Sequence, residues 1–200
     1  MLNEHAEAGS ADVAGAVTPL LRQRWSPRSF DPGVELSERQ LQALLEAARW
    51  APSSRNRQPW RFLVGRRGDE TFKAVYETLA PRNQQWAGDA AALIVAVAET
   101  SDADGRPLPG VEYDLGLAVA QLVVQAHAEG LHVHQMGGFS PAGVRAAFGV
   151  PPTFTPVVVV AVGRVSQATD DTARPARTRR PLSESAYAGS WGRSWDTQAD

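Results

Sequence analysis

The residues able to do chemistry in this 200-residue chain lie in separate short segments. Arg24, Ser26 and Arg28 flank Trp25 and Pro27, and Ser53, Ser54, Asn56 and Gln58 crowd residues 51–60. Asn83 precedes a long apolar run, Gly137, Gly138 and Phe139 follow a pair of histidines, and Arg177, Arg179 and Arg180 come late. Guanidinium groups fork onto phosphate oxygens, an amide pairs with a heterocycle edge, and glycines let peptide N–H groups approach a ligand closely. Together these residue types describe a site for a nucleotide-like cofactor. In such a site the cofactor carries the hard chemistry, and the protein supplies position and electrostatics.

Self-sufficient catalytic motifs are missing. The sequence has no P-loop, G-x-G-x-x-G, H-E-x-x-H or G-x-S-x-G. His132 and His134 lie two apart, hence on one face of a strand, but a zinc site needs three or four protein ligands and no third is in register. We expect structural or surface histidines there, and no metal. The absence of cysteine excludes a disulfide framework, a thiolate zinc site, an iron–sulfur cluster and a cysteine nucleophile, which fits the cytoplasm. A net charge of −2 gives no global attraction to nucleic acid. The basic clusters near residues 22–28, 55–67 and 174–180 suit a small anion rather than a duplex. Glu4, His5, Glu7 and Asp12 interrupt any signal-peptide run, and no uncharged stretch reaches membrane-spanning length.

A hydrophobic content of 43% over this length supports one sizeable core. Val13, Val17, Leu20 and Leu21 suggest a helix over residues 12–22, and Pro27 keeps the basic segment extended. Ser37 with Gln40 forms a capping box for a helix carrying Leu41, Leu44, Leu45 and Ala48 to Arg49. That helix runs into the Pro-Ser-Ser turn, where Pro59 should hold Gln58 extended before a strand over 60–64. Asp69 caps a second helix bearing Phe72, Val75, Tyr76 and Leu79, which Pro81 ends. Residues 83–86 read as a polar link, 91–98 as a buried strand, and 101–110 as a mobile loop. A long, largely buried helix follows over 112–129, then a strand over 131–136 and the glycine turn. Ser140-Pro141 opens a short helix that Gly149 closes, and 154–165 is the last strand. Strands and helices interleave without a regular βαβ period, so the expected class is α+β.

The chain is identified as a member of the nitroreductase family of FMN-dependent oxidoreductases by five segments in order. They are the Arg-x-Ser-x-Arg of Arg24, Ser26 and Arg28; the Ala-Pro-Ser-Ser-x-Asn-x-Gln-Pro-Trp of residues 51–60; Asn83; the Gly-Gly-Phe of residues 137–139; and the Arg-x-Arg of Arg177 and Arg179. The resemblance implies a central mixed or antiparallel sheet surrounded by helices, in an intertwined homodimer with two shared FMN sites. It covers an FMN-binding domain over 20–183; the small residues of 1–19 read as a frayed segment, and Tyr187, Trp191 and Trp195 on the polar tail over 184–200 call for a surface to lie on, for which a partner subunit is one candidate.

By the same resemblance, Arg24, Trp25, Ser26, Arg28, Arg177 and Arg179 hold the FMN phosphate and ribityl chain. Ser53, Ser54 and Asn56 reach the flavin from the other subunit, Asn83 pairs with the pyrimidine edge, and Gly137, Gly138 and Phe139 lie near N5. The implied chemistry is ping-pong: NADH or NADPH delivers hydride to FMN, and a nitroaromatic, quinone or related electron-poor small molecule accepts it, with no catalytic side chain. Two departures bear on the flavin's potential: Trp86 stands where relatives often carry lysine, and Gly137 where many carry an acidic residue. The alternatives are a flavin storage or sensor protein without turnover, and a dehalogenating or flavin-fragmenting branch of the superfamily.

Overall fold

The computed structural model describes residues 17–165 and 177–195 of the chain. It divides into two units, residues 24–174 and, separately, residues 1–23 with 175–200.

The larger unit is built on four antiparallel strands in the order β1-β2-β4-β3: β1 Trp60–Arg66, β2 Ala92–Glu99, β3 His132–Met136 and β4 Phe154–Gly163. β2 and β4 lie at the centre. The uninterrupted apolar sequence of β2 reflects burial on both faces, since Ala92 to Ala98 are each no more than 2% exposed. Ala92, Ile94, Ala96, Val160 and Val162 face one apolar cluster, and Leu93, Val95, Val97, Val159 and Ala161 face the other. The alternation is the period of two expected of a strand. Pro156 cannot donate to a ladder, and it sits where the register slips between the pairs Ala96↔Val158 and Val97↔Pro156.

The first cluster is closed by two helices, α2 Glu38–Arg49 and α5 Val111–Ala128, through Leu41, Leu44, Leu115, Leu122 and Ala126. (A four-residue turn, α1 Pro19–Arg22, precedes them.) The capping box at Ser37 is present, with the Gln40 N–H donating to Ser37 Oγ at 3.2 Å and the Ser37 N–H to Gln40 Oε1 at 3.0 Å. The second cluster is closed by α3 Glu70–Glu77, α4 Pro81–Ala87 and α6 Pro141–Phe148, through Phe72, Val75, Ala87 and Val144.

Several boundaries differ from expectation. The 12–22 helix is described only as α1, its first residues lying outside the described ones, as does the tract over 166–176. Pro81 does not end α3, which stops at Glu77; it occupies the first turn of α4, where its missing N–H costs nothing, and residues 83–86 are helical rather than a link. Residues 101–110 form a loop, as expected, with hydrogen bonds of its own: Asp102 Oδ1 accepts from the N–H groups of Asp104 and Arg106, and the Leu108 N–H donates to the Thr100 carbonyl. The last strand ends at Gly163.

In the smaller unit, Arg177 donates to the Arg22 carbonyl, Tyr187 pairs with Ser194, and the rings of Tyr187 and Trp191 lie 5.1 Å apart. Trp191 is 92% exposed there.

Gly65 sets how closely α3 packs on β1. A Cβ at this position would lie 2.3 Å from the Phe72 N and 2.5 Å from its Cα, which are backbone atoms of α3. Replacing Gly65 with Ala should therefore cost about 3 kcal/mol, the upper part of the range for overpacking, because no flexible side chain can yield. Urea unfolding of the variant measures this, with a lowered midpoint expected.

Candidate functional site

The basic segment before Phe30 has no regular structure of its own and is tied down from outside. At its end the Asp31 N–H donates to the Arg164 carbonyl at 2.7 Å, and in its middle His134 Nδ1 donates to the Pro27 carbonyl at 2.8 Å. Trp25 is buried and meets His132 edge-on with centroids 6.0 Å apart, and Phe30 is buried against the sheet. Small residues make that possible. His134 pairs with Ala161 and His132 with Gly163, where a Cβ would come within 2.8 Å of the Phe30 ring. Within the segment Arg24 donates to Ser26 Oγ at 3.1 Å, and Arg28 is exposed.

Next to this segment is a polar cavity of about 270 Å³ lined by Arg28, Arg82, Asn83, Trp86, His134 and the Gly137–Gly138 turn, among others. Three elements meet there: α4 supplies Arg82, Asn83 and Trp86, β3 supplies His134, and the glycine turn continues β3. Asn83 is only 7% exposed and its amide donates to the Gly138 carbonyl at 2.9 Å. A side chain at position 138 would come within 2.9 Å of that amide nitrogen, so the glycine is what lets the two groups meet. The Gly138 carbonyl also accepts from the Ala80 N–H. Among the described residues, no backbone carbonyl accepts from the Gly137 or Gly138 N–H, which leaves two peptide donors at the cavity. Phe139 turns away to pack on the second cluster and bridges to Leu79.

Trp86 lies between Phe30, at 6.2 Å, and His134, at 4.5 Å between ring centroids. His134 is half-buried. Burial, with smaller contributions from Arg28 and Arg24, holds its pKa below the ordinary imidazole value, although its hydrogen bonds to the Pro27 and Ser26 carbonyls pull the other way.

The Pro-Ser-Ser turn lies elsewhere on the chain, and Ser53, Ser54 and Asn56 do not line this cavity. Arg55, Asn56 and Gln58 have φ of +55°, +54° and +53°, so Gln58 is left-handed rather than extended. Non-glycine residues in that region cost roughly 1–3 kcal/mol each unless the surroundings hold them. Two contacts do so: the Gln58 N–H donates to Ser53 Oγ at 2.9 Å, and the Ser54 N–H donates to Asp114 Oδ2 at 3.1 Å. The first contact overrides the extended preference that Pro59 imposes on Gln58. Arg177 and Arg179 belong to the smaller unit, where Arg179 donates to the Thr178 carbonyl.

Asp114, Arg82 and His134 were not among the expected site residues. Asp114 leaves a signal, a carboxylate on the otherwise apolar stripe of Val111, Leu115 and Ala118, and it is only 5% exposed. Arg82 could have been found from Pro81 as a helix start, which makes residues 82–86 one helical turn. His134 leaves no local signal, because its partner Pro27 is 107 residues away.

Two measurements follow. Replacing Asp114 with Ala leaves the Ser54 N–H without its acceptor and should cost about 1–3 kcal/mol in urea unfolding. For His134, the unfolded imidazole takes up a proton near pH 6.5 while the folded one resists it. Stability should therefore be level above that pH and fall as pH drops below it, by no more than about 1.4 kcal/mol per pH unit, with the fall reduced in His134→Asn.

The nitroreductase family model matches residues 21–82 and 66–164. The chain is 39% identical over 146 residues to an uncharacterised 15.4 kDa protein of Mycolicibacterium smegmatis, covering 66% of this chain and 97% of that one. It is 27% identical over 184 residues to a protein of Bacillus subtilis that carries the name "Putative NAD(P)H nitroreductase YdgI", covering 74% of this chain and 87% of YdgI. A crystal structure of an oxidoreductase containing FMN superposes with a TM-score of 0.80 at 32% identity, over 88% of this chain and 92% of the other. With matches spanning most of the chain, this protein belongs to the nitroreductase family.

Proposed function

We propose that the protein is an FMN-dependent oxidoreductase that uses NADH or NADPH to reduce an electron-poor small molecule such as a nitroaromatic or a quinone. The observation that carries this reading is the cavity beside the Gly137–Gly138 turn, where two guanidiniums, a buried amide and two peptide N–H donors converge. That donor set fits FMN, which offers an anionic phosphate and a ring edge of carbonyls and ring nitrogens. It is also supported by the family, by the FMN named for the matched crystal structure, and by the NAD(P)H named for YdgI.

FMN, when bound, supplies the hydride chemistry, so no titrating side chain is required of the protein. The chain's own residues bind and orient. Arg24, Ser26 and Arg28, joined by Arg177 and Arg179, are assigned to the phosphate and ribityl chain. Asn83 is assigned to the pyrimidine edge, with its place fixed by Gly138. The Gly137 and Gly138 N–H groups are set to stabilise negative charge without reorganising. Trp86, in the aromatic stack, leaves Arg82 and Arg28 as the cations of the cavity.

The site is assigned to a homodimer. A cavity of about 270 Å³ is small for an organic ligand, and Ser53, Ser54 and Asn56 lie outside it on a strained turn. Helix α5 offers a surface for pairing: opposite its buried stripe, Leu117, Ala120 and Val124 line an apolar groove with Ala47 and Pro52. A helix apolar on both sides belongs inside an assembly. Among the described residues no helix is long and apolar enough to cross a membrane. With no cysteine in the chain, we assign the protein to the cytoplasm.

The test is the visible spectrum of the protein after FMN loading and desalting, followed by anaerobic NADH and then NADPH. Flavin bands that survive and then bleach are expected. Bands that survive without bleaching would mean a flavin-binding protein without turnover, and loss of the bands on desalting would remove the reading. Two variants probe the parts. Arg28→Ala should raise the FMN Kd about tenfold or more, since a charge-assisted hydrogen bond is lost. Leu117→Glu should yield monomers in sedimentation and weaken FMN retention.

A further inference from the structure

We propose that His134 is a positioning residue for phosphate recognition, its imidazole locking the Arg24–Arg28 segment onto β3 so that the segment's guanidiniums are presented in one fixed arrangement. This rests on the FMN reading above and adds a residue and a role to it.

The basic segment has no helix or strand to shape it, and charged side chains on an irregular stretch lose considerable rotamer freedom when they bind. Something outside the segment must hold it. Asp31 is fixed to the Arg164 carbonyl, but Asp31 is three residues beyond Arg28. His134 acts at the centre of the segment, donating through Nδ1 to the carbonyl of Pro27, the residue between Ser26 and Arg28. A carbonyl can only accept, so Nδ1 carries the proton in this arrangement. The Ser26 carbonyl also faces the ring.

The imidazole is itself held. Trp86 covers it with centroids 4.5 Å apart, Phe30 backs Trp86, and Ala161 opposite on β4 leaves room for the stack. His134 and Arg28 line the same cavity, so the residue that anchors the segment also borders the space into which the segment's cation reaches. His132, two residues earlier on the same face, meets the Trp25 ring edge-on with centroids 6.0 Å apart. The two histidines therefore contact successive parts of one segment, which accounts for their spacing without a metal.

A phosphate-specific role differs from a general packing role in what it predicts for two flavins that share a ring system and differ in the phosphate. The experiment measures the Kd of FMN and of riboflavin for the apoprotein by fluorescence titration, in the wild-type chain and in His134→Leu, His134→Gln and His134→Asn. Leucine keeps apolar bulk against Trp86 but has no N–H; the glutamine amide nitrogen sits too far out to take the place of Nδ1. Both variants should raise the FMN Kd about tenfold or more while riboflavin stays within about threefold of wild type. Asparagine, whose amide nitrogen takes the place of Nδ1, should restore FMN affinity to within about threefold.

Equal weakening of FMN and riboflavin would reduce His134 to packing and overturn the proposal, and so would unchanged FMN affinity in a folded His134→Leu chain. If His134→Leu does not fold, as read by circular dichroism, the glutamine and asparagine variants decide on the same criteria. A wild-type chain that binds neither flavin removes the FMN reading itself and this inference with it. Wild-type binding with unaltered variants removes only the inference.

Discussion

Burial of β2 and β4 on both faces is the constraint from which the rest of the molecule follows. Their side chains alternate between two apolar clusters and are almost wholly withdrawn from water, at about 1.5–3 kcal/mol for each large aliphatic group. A polar side chain on those central strands needs a partner there, as Thr155 has in Thr100 at the start of β4, or it leaves a group unsatisfied. The candidate cavity lies accordingly at the margin of the sheet, between the glycine turn at the end of β3 and helix α4. Even Pro156 is accommodated by a bulge, with the ladder recovering on either side.

At those margins, small residues do what side chains cannot. Gly138 lets Asn83 reach a carbonyl, Gly163 lets Phe30 lie on the sheet, and Gly65 lets α3 approach β1 at backbone distance. Each absence of a side chain fixes the position of a larger neighbour. The phenyl, indole and imidazole rings of Phe30, Trp86 and His134 then link the sheet, α4 and the basic segment in one packed series. The packed rings of Trp86 and His134 and the buried Asn83 form the fixed part of the cavity lining, whereas Arg28 and Arg82, which also line it, are exposed.

The Pro-Ser-Ser turn represents a second way of holding polar groups in place. Three left-handed residues in a row of four are held by a hydroxyl from within the turn and a carboxylate from α5. Backbone strain kept in this manner belongs with ligand binding more often than with folding. Asp114 sits on the buried stripe of α5 for this reason: its oxygen serves the turn, and the surrounding leucines and alanines serve the core.

Much of this was legible in the chain itself. The α+β class, the capped helix α2, the buried strand β2 and the family membership all rest on local patterning or on the order of short motifs, which a linear reading captures. The resemblance also named Asn83, Gly137 and Gly138, and the fold brings them together with Arg28 around one cavity. What tertiary structure alone decided are the relations between distant residues. Asn83 and Trp86 find their partners on the glycine turn and on the sheet, and Gln58 is left-handed because Ser53 holds its N–H. His132 and His134 read as unremarkable in sequence because an imidazole's role is set by what faces it. Here Trp25, Trp86 and the Pro27 carbonyl lie more than forty residues away along the chain and in contact across space.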